Sequence, residues 1–123
     1  MKWIFRGFDA MGRKGWVYGD LVHNQKVTET GLEPRVMVGG YDVIPESVGL
    51  CTGIKDIDGK MIYDGDIIRI SYNGKHLFDA TVEWIDRYGG FYMNEGDGCY
   101  SPIPHDYVTV IGNVFHDKEL IER

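Results

Sequence analysis

Cysteine is scarce in this chain, and long apolar runs are absent. The two cysteines, Cys51 and Cys99, are too few and too far apart for a disulfide framework or a four-thiolate zinc site, so we expect both to be reduced, packed thiols. No apolar run approaches the roughly 20 residues that cross a bilayer. Arg6 and Asp9 interrupt the first apolar residues, which argues against a secretory signal. We therefore expect a cytoplasmic protein without a membrane segment.

Positive charge is also in deficit. The chain has 13 Lys and Arg against 19 Asp and Glu, for a formal net charge of −6. Because nonspecific binding to phosphate backbones needs many Lys and Arg contacts, this balance disfavours a nucleic-acid partner. A local basic patch stays open as an alternative, since such a patch can outweigh the average charge.

Apolar residues at helical spacing are few, while turn-forming residues are abundant. The chain holds 17 glycines and 8 tyrosines among 123 residues. Aromatic residues favour strands and glycine favours tight turns. With 43% hydrophobic and 26% charged residues, the composition is that of a globular protein with room for one domain or two small β units. The composition predicts an all-β fold.

The middle of the chain has the clearest turn chemistry. Strand-forming runs flank Asp58-Gly59, and Asp64-Gly65 precedes the next strand. Aspartate hydrogen-bonds its own turn and glycine adopts positive φ at little cost, so these pairs predict tight turns. The dipeptide Asn73-Gly74 predicts a hairpin between the runs at 66–72 and 76–84.

Alternating apolar residues predict strands along most of the chain. Near the start, Trp3, Phe5 and Phe8 are expected to face a core, with a bulge at Gly7. The predicted strands are residues 3–9, 16–22, 50–52, 66–72, 76–84, 91–93 and 107–115.

The remaining segments are predicted as a loop and two short helical turns. Residues 23–35 are expected to form a loop with a short strand at 26–28, because Pro34 restrains the preceding residue from a helical conformation. Pro45 is expected to begin a single helical turn, where its missing N–H costs nothing. Asp117 is expected to cap a last helical turn.

Short strands joined by tight turns indicate a small barrel or sandwich. We place a domain boundary near residue 47. Residues 1–47 are predicted to form an N-terminal β unit packed on the barrel. Residues 48–123 are predicted to form a small SH3-like β-barrel in the C-terminal half, which ends in a short helical turn.

Several short motifs are spread along the chain. They are Ile4-Phe5-Arg6, Phe8-Asp9, Tyr18-Gly19-Asp20-Leu21, Pro45-Glu46-Ser47-Val48-Gly49, the run from Thr52-Gly53 to Ile68, Val82-Glu83-Trp84 and Ile111-Gly112-Asn113-Val114. In combination they resemble the YopX family, small proteins of phages and prophages without an assigned biochemical role. The resemblance implies an SH3-type β-barrel in the cytoplasm of a bacterial host. It supplies no catalytic residue to carry over to this chain.

Four aspartates lie close together in sequence, at Asp56, Asp58, Asp64 and Asp66. Such a cluster is a candidate for a divalent cation or for an acid–base pair. A calcium loop is ruled out because Lys60 stands where an oxygen ligand is needed. The neighbouring glycines explain the aspartates as turn residues. We therefore predict no metal site and no cofactor.

Cys99 and His105 form a candidate nucleophilic pair, because Cys99 follows a glycine-rich loop that would expose it. No residue marks the orienting third member or the oxyanion site that such catalysis needs. The four histidines lie far apart and show no metal-ligand spacing. The sequence therefore predicts a protein that is not an enzyme.

Aromatic residues are the more informative set, because on a small β-barrel they stack bases, grip peptides or pack subunit interfaces. The set is Trp16, Tyr18, Trp84, Tyr88, Phe91, Tyr92, Tyr100 and Tyr107. Most are expected in the core, which leaves two or three for a binding face. We place that face at Arg87, Tyr88, Phe91, Tyr92 and Tyr100.

These patterns favour a noncatalytic protein-interaction module that binds a host or phage protein or a second copy of itself. Open β-edges invite pairing between subunits, so a homo-oligomer is expected. The alternative is a nucleic-acid-binding β-barrel module. That alternative requires Arg6, Arg13, Lys14 and Arg69 to converge on one face.

Overall fold

The computed structural model describes residues 3–121 and confirms the all-β class. Its strands pair antiparallel, and no α-helix occurs within the described residues. The chain divides into two compact units, one up to Leu50 and one from Cys51 onward. No helix among residues 3–121 is long and apolar enough to span a membrane.

The first unit pairs β1 antiparallel with β2 and with the first residues of β6. Three further strands form a sheet in the order β3-β4-β5. Val17, Val38 and Val43 form the buried apolar cluster of this unit. The elements are β1 (Phe5–Phe8), β2 (Trp16–Gly19), β3 (Leu21–Thr28), β4 (Gly31–Val38), β5 (Tyr41–Asp42), a 3₁₀ helix (Pro45–Ser47) and β6 (Gly49–Lys55), which continues into the second unit.

The second unit contains a five-stranded sheet in the order β11-β10-β9-β8-β12. One face of this sheet carries the larger apolar cluster, with Ile62, Ile68, Val82 and Val108 fully buried. The elements after β6 are β7 (Met61–Tyr63), β8 (Asp66–Tyr72), β9 (Lys75–Ile85), β10 (Gly90–Asn94), β11 (Tyr100–Ser101), a 3₁₀ helix (His105–Tyr107), β12 (Val108–Asn113) and a last 3₁₀ helix (Lys118–Leu120).

Two of the predicted turns are confirmed. Asn73 and Gly74 both have positive φ, at 53° and 75°, and connect β8 to β9 as the Asn-Gly hairpin signal requires. Pro45 begins a 3₁₀ helix that ends at Ser47. In both places the local chemistry of the turn residues determines the backbone, so the prediction needed no knowledge of the core.

The predicted loop at residues 23–35 is wrong, although the short strand expected within it at 26–28 is confirmed as part of β3. This segment lies in the hairpin of β3 and β4, whose eight residue pairs keep an unbroken register. Pro34 restrains Glu33 to extended backbone, and extended backbone suits a strand as well as a loop. Proline is tolerated here because β5 pairs only with Met37 and Val38, so the middle of β4 is an edge.

The bulge predicted at Gly7 is also wrong. The pairing of β1 with β2 runs without interruption from Phe5 to Phe8. A glycine is needed at this position for steric reasons, because a Cβ on Gly7 would lie 2.9 Å from side-chain atoms of Val43. Trp3 precedes β1 and is exposed rather than packed in a core.

Two further expectations need correction. Asp117 precedes the last 3₁₀ helix at the N-cap position, but its side chain makes no cap hydrogen bond; its carboxylate accepts a hydrogen bond from the Asn113 N–H at 3.0 Å. Both cysteines are free, as expected, but only Cys51 is packed and Cys99 is exposed. Cys99 lies in the connection between β10 and β11, where Gly96 and Gly98 have no side chain that could cover it.

The barrel and the domain boundary stay predictions. Among residues 3–121 the sheets are open, and none closes on itself. The division into compact units falls between Leu50 and Cys51, and the sequence placed a boundary near residue 47.

Candidate functional site

The β9–β10 hairpin positions most of the residues predicted to bind. Its turn is closed by the carbonyl of Ile85, which accepts hydrogen bonds from the N–H groups of Tyr88 at 3.0 Å and Gly89 at 2.9 Å. Gly89 has a φ of +65°, a conformation that glycine adopts without strain. This turn holds Arg87 and Tyr88 in the exposed loop between the two strands.

Strand alternation assigns the aromatic residues to opposite faces of this hairpin. Phe91 lies opposite Trp84, and Met93 lies opposite Val82. Val82 and Met93 are buried in the core of the second unit, and Phe91 packs against the same cluster. The rings of Trp84 and Phe91 meet edge to face at 5.1 Å. Phe91 therefore belongs to the core face.

The outer face is formed by the alternate residues. Tyr92 lies opposite Glu83, and Asn94 lies opposite Thr81 on one side and Tyr100 on the other. Tyr92, Asn94 and Tyr100 are each half-buried. We call the surface made by Arg87, Tyr88, Tyr92, Asn94 and Tyr100 the outer aromatic face.

The side chain of Arg87 contacts that of Tyr88, and Tyr88 in turn contacts Tyr92. The guanidinium carbon of Arg87 lies 4.8 Å from the centre of the Tyr88 ring, and an Arg87 N–H group donates to the Tyr88 hydroxyl at 3.2 Å. The Tyr88 and Tyr92 rings meet edge to face at 5.2 Å. These contacts are favourable cation–π and aromatic geometries, so they order three side chains around one exposed surface.

Glu83 orders the polar part of the same face. Its carboxylate accepts hydrogen bonds from the Thr81 hydroxyl and from the Asn94 amide, both at 2.9 Å. A carboxylate that accepts hydrogen bonds from two neighbouring side chains restricts the rotamers of both. Sequence reasoning missed Glu83 and Asn94, although the period-2 alternation of 80–84 places Thr81 and Glu83 on one side of β9.

The connection from β10 to β11 is held by its own hydrogen bonds. The Glu95 N–H donates to the Cys99 carbonyl at 2.9 Å, and the Cys99 N–H donates to the Gly96 carbonyl at 3.0 Å. The Asn94 side chain accepts a bond from the Gly96 N–H at 2.8 Å. Among the described residues, the Cys99 thiol makes no hydrogen bond to His105, whose ring lies 3.5 Å from the Asp106 carboxylate.

The structure therefore brings four of the five predicted binding residues to one face. Arg87, Tyr88, Tyr92 and Tyr100 share the outer aromatic face. Phe91 does not, because the alternation along β10 turns it towards the core. Whether the four residues bind a partner stays a prediction.

A cleft of about 550 Å³ borders this face at Asn94. It extends over Asp79 and Thr81 of β9 to Leu120 and Ile121 near the end of the described chain. Burial raises the pKa of Asp79, but the hydrogen bonds from Arg69 and His76 outweigh burial and hold that pKa below its ordinary value. The carboxylate thus serves as an internal acceptor, at 3.1 Å from Arg69 Nε and 2.9 Å from His76 Nε2.

The aspartates around the turns have structural partners. Asp56 accepts hydrogen bonds from the N–H groups of Asp58, Lys60 and Val110, at 2.8–3.0 Å. Burial raises its pKa, and these three donors lower it by more. Asp66 accepts from the Tyr63 N–H at 2.7 Å. Within residues 3–121 no three His, Cys, Asp or Glu side chains group in a way that could hold a metal ion.

The four cations required by the nucleic-acid alternative have different surroundings. Arg6 is buried, with its guanidinium 4.7 Å from the Trp16 ring centre. Arg69 is hydrogen-bonded to Asp79. Arg13 and Lys14 are exposed in the turn between β1 and β2. Arg13 and Lys14 are therefore the more exposed of the four cations, and the Lys14 ammonium lies 6.0 Å from the Tyr41 ring centre.

Comparison with known proteins supports the family suggested by the sequence. The family model described as "YopX protein" matches residues 4–122, which is nearly the whole chain. The crystal structure of protein EF1440 from Enterococcus faecalis is similar over 99% of both chains, with a TM-score of 0.58 and 22% sequence identity. At that identity the likeness concerns the fold alone. No curated protein matches this chain.

Proposed function

The chain belongs to the YopX family, and from this premise we propose that it is a noncatalytic module that acts through protein contacts. The observation that carries the proposal is the outer aromatic face, where Arg87, Tyr88 and Tyr92 are ordered by mutual contacts on an exposed hairpin. Tyr and Arg are enriched in protein interfaces and dominate their binding energy. A face preordered in this way loses little side-chain entropy on binding.

Charge and chemistry support a protein partner for this face. The net charge of −6 repels nucleic-acid backbones. Glu83 adds a carboxylate beside Tyr92 on the β9 side of the face, where it is bonded to Thr81 and Asn94. A surface with aromatic anchors and satisfied polar neighbours has the composition of an interface core with its rim.

The proposal has several further parts. The partner is a host or phage protein or a second copy of the chain, and the protein acts in the cytoplasm of a bacterial host as a phage or prophage product. It is not an enzyme and requires no cofactor. We also propose that the second unit is an SH3-like barrel. This part is supported by its antiparallel sheet, in which the strands follow the order β11-β10-β9-β8-β12.

Paired tyrosine variants test the outer aromatic face. Tyr88→Ala with Tyr92→Ala removes two of the three tyrosine rings of the face. The matched control is Tyr72→Ala with Tyr107→Ala, a second tyrosine pair of the same unit with ring centres 5.6 Å apart. Tyr72, Tyr88 and Tyr107 are similarly exposed, at 55%, 50% and 46%.

Each variant is used to capture proteins from a bacterial lysate, and the Kd of the retained partner is then measured by calorimetry. We expect the Tyr88/Tyr92 variant to bind about 30-fold or more weakly, as loss of two interface tyrosines predicts. The control should bind within about threefold of the wild type. Equal binding by both variants, or no retained partner, would refute the part of the proposal in which this face binds a host or phage protein.

A second candidate function is nucleic-acid binding by the first unit. Arg13, Lys14 and Arg35 border a cleft of about 440 Å³ together with Tyr41. The Lys14 ammonium lies 6.0 Å from the Tyr41 ring centre, and cations beside an aromatic ring are typical of single-strand binding. Asp9 also borders the cleft, and its carboxylate accepts hydrogen bonds from the backbone N–H groups of Met11 and Lys14.

Titration with a single-stranded oligonucleotide at low salt tests this candidate. Binding that weakens with salt and is lost in the Arg13→Ala, Lys14→Ala double variant supports it. Failure to bind at low salt rejects it.

A further inference from the structure

The hairpin of β3 and β4 is a ribbon with one apolar and one polar face. Residues at alternate positions share a face, and opposite residues share it too. The apolar face comprises Leu21, His23, Gln25 and Val27 of β3 with Leu32, Pro34, Val36 and Val38 of β4. The other face comprises Val22, Asn24, Lys26 and Thr28 with Gly31, Glu33, Arg35 and Met37.

The apolar face is covered at one end of the ribbon only. Leu21 and Val36 pack on the buried cluster of the first unit, and Val38 belongs to that cluster. At the other end, Val27 lies opposite Leu32, and these side chains are 84% and 64% exposed. A two-stranded ribbon is marginal in water without a packed face, so this pattern indicates that something covers the tip.

Pro34 shows which edge of the ribbon is open to another strand. Opposite residues in an antiparallel pair alternate between those that exchange N–H···O bonds and those whose backbone groups point outward. Pro34 has no N–H, so the unbroken register fits Pro34 and Gln25 as an outward-pointing pair. The carbonyl of Val36, two residues on, accepts a hydrogen bond from the Val43 N–H at 3.1 Å, which agrees with this alternation.

The two edges therefore differ in what they offer. On β4, the outward position of Pro34 lacks a donor, which blocks strand addition at that edge. On β3, the alternation turns the backbone groups of His23, Gln25 and Val27 outward. β3 lies at the end of its sheet and has no strand beyond it among the described residues.

We propose that β3 pairs antiparallel with β3 of a second copy of this chain, about a two-fold axis at Asn24. Outward-pointing residues must meet outward-pointing residues, and this axis pairs His23 with the partner subunit's Gln25. It also sets the exposed Val27 beside the partner subunit's Leu21. The exposed end of each ribbon therefore lies next to the end of the other ribbon that packs on its own apolar cluster. The two apolar faces then form one side of a four-stranded sheet.

A second copy fits this edge for reasons of symmetry and charge. Every copy brings the same proline-free strand, and a two-fold axis pairs identical edges without any other component. Lys26 is the only Lys, Arg, Asp or Glu of β3. In the proposed register Lys26 lies opposite the partner subunit's Val22, so no like charges oppose each other. The inference rests on the self-association in the proposed function but uses the first unit rather than the outer aromatic face.

Amide exchange of the wild-type chain tests the pairing directly. Native mass spectrometry should give twice the chain mass of 14.0 kDa. In concentrated solution, the amides of Gln25 and Val27 should exchange about tenfold or more slowly than in dilute solution, because pairing protects them. The Asn24 and Lys26 amides, bonded to β4 in either state, serve as the internal reference. A monomer at all concentrations, or fast exchange at Gln25 and Val27 in the dimer, would overturn the proposal.

Two variants of Gln25 separate the role of its backbone N–H from that of its side chain. Gln25→Pro removes one outward N–H and keeps the bonds between β3 and β4, whereas Gln25→Thr changes the side chain and keeps the N–H. We expect Gln25→Pro to be a monomer and Gln25→Thr a dimer, with the same circular dichroism spectrum. A dimeric Gln25→Pro would contradict the proposal, and if that variant fails to fold the wild-type exchange pattern decides. The Tyr88→Ala, Tyr92→Ala variant should remain a dimer, which separates this test from that of the outer aromatic face.

Discussion

At the scale of single residues, buried carboxylates in this protein accept hydrogen bonds from the fold itself. Asp56 holds three backbone N–H groups, which come from its own turn and from Val110 on β12. Asp79 holds the side chains of Arg69 and His76. A carboxylate whose lone pairs are filled in this way is a poor metal ligand, because binding a cation would first break these bonds.

Asp79 provides a test of this structural role. Its side chain is 7% exposed, while that of Arg69 is 42% exposed, so solvent screening weakens the interaction. We expect Asp79→Asn to lower the free energy of unfolding by about 1.5 kcal/mol at pH 7. Urea unfolding measures this value. Asp106→Asn is the control, since that side chain is 79% exposed and its loss should change stability by less than about 0.5 kcal/mol.

The effect of Asp79→Asn should also depend on pH. The pKa of Asp79 is held below its ordinary value of 3.8 in the folded state, so the folded protein binds fewer protons there than the unfolded chain. The stabilisation is therefore present above pH 3.8 and is lost as the pH falls through the folded-state pKa. The difference between wild type and variant should shrink when unfolding is repeated at successively lower pH below 4. A difference that stayed constant or grew would contradict the assigned hydrogen bonds.

At the scale of elements, close packing between segments explains features that resemble local irregularities. Gly7 lies in the middle of a regular β1, and its missing side chain leaves room for Val43. Asp9 and Val43 form an isolated β-bridge beside this contact. Glycine is thus needed in β1 for a neighbour that is 36 residues away in sequence, and not for a bend of the strand.

Gly7→Ala is expected to destabilise the protein by about 2 kcal/mol, because an added Cβ meets Val43 at 2.9 Å in a filled interior. Gly90→Ala is the matched control. Gly90 also lies in a strand, and its added Cβ would meet a Tyr92 ring atom at an ordinary 3.6 Å. Thermal unfolding should show a lower Tm for Gly7→Ala and a change within about 0.5 kcal/mol for Gly90→Ala. Equal effects of the two changes would show that the contact with Val43 is not the cause.

At the scale of the whole molecule, the chain forms two compact units with separate apolar clusters. The cluster of the first unit is built on Val17, Val38 and Val43. That of the second unit is larger and is built on the central strands β8 and β9, with Ile68 and Val82 fully buried. Since burial of apolar surface is the dominant stabilising contribution, we expect each unit to respond mainly to losses in its own cluster.

Hydrogen exchange resolved by residue tests this division. Val38→Ala should cost about 2 kcal/mol and accelerate exchange mainly in β1 to β4, while Ile68→Ala should cost about 3 kcal/mol and accelerate exchange mainly in β8 to β10. Each variant is the control for the other. Uniform acceleration throughout the chain by either variant would show that the units unfold as one cooperative body.

The sequence alone determined the features that depend on neighbouring residues. The all-β class followed from alternation and turn chemistry, and the Asn73-Gly74 hairpin and the Pro45 turn followed from the backbone preferences of their residues. The family also followed from motifs that are read directly along the chain. Arg87 and Tyr88 were named because they lie in one turn, and a turn is local; Tyr92 and Tyr100 lie in the strands β10 and β11 that follow it.

Only the tertiary structure decided the features that depend on how strands pair and pack. Phe91 joined the core because the register between β9 and β10 sets its side. Pro34 lies in a strand because β5 leaves the middle of β4 as an edge. Gly7 is needed because Val43 packs on it. In each case the deciding contact is made between strands, through the pairing register or through packing, and the side-chain pattern of one strand does not fix the register or the packing of its neighbours.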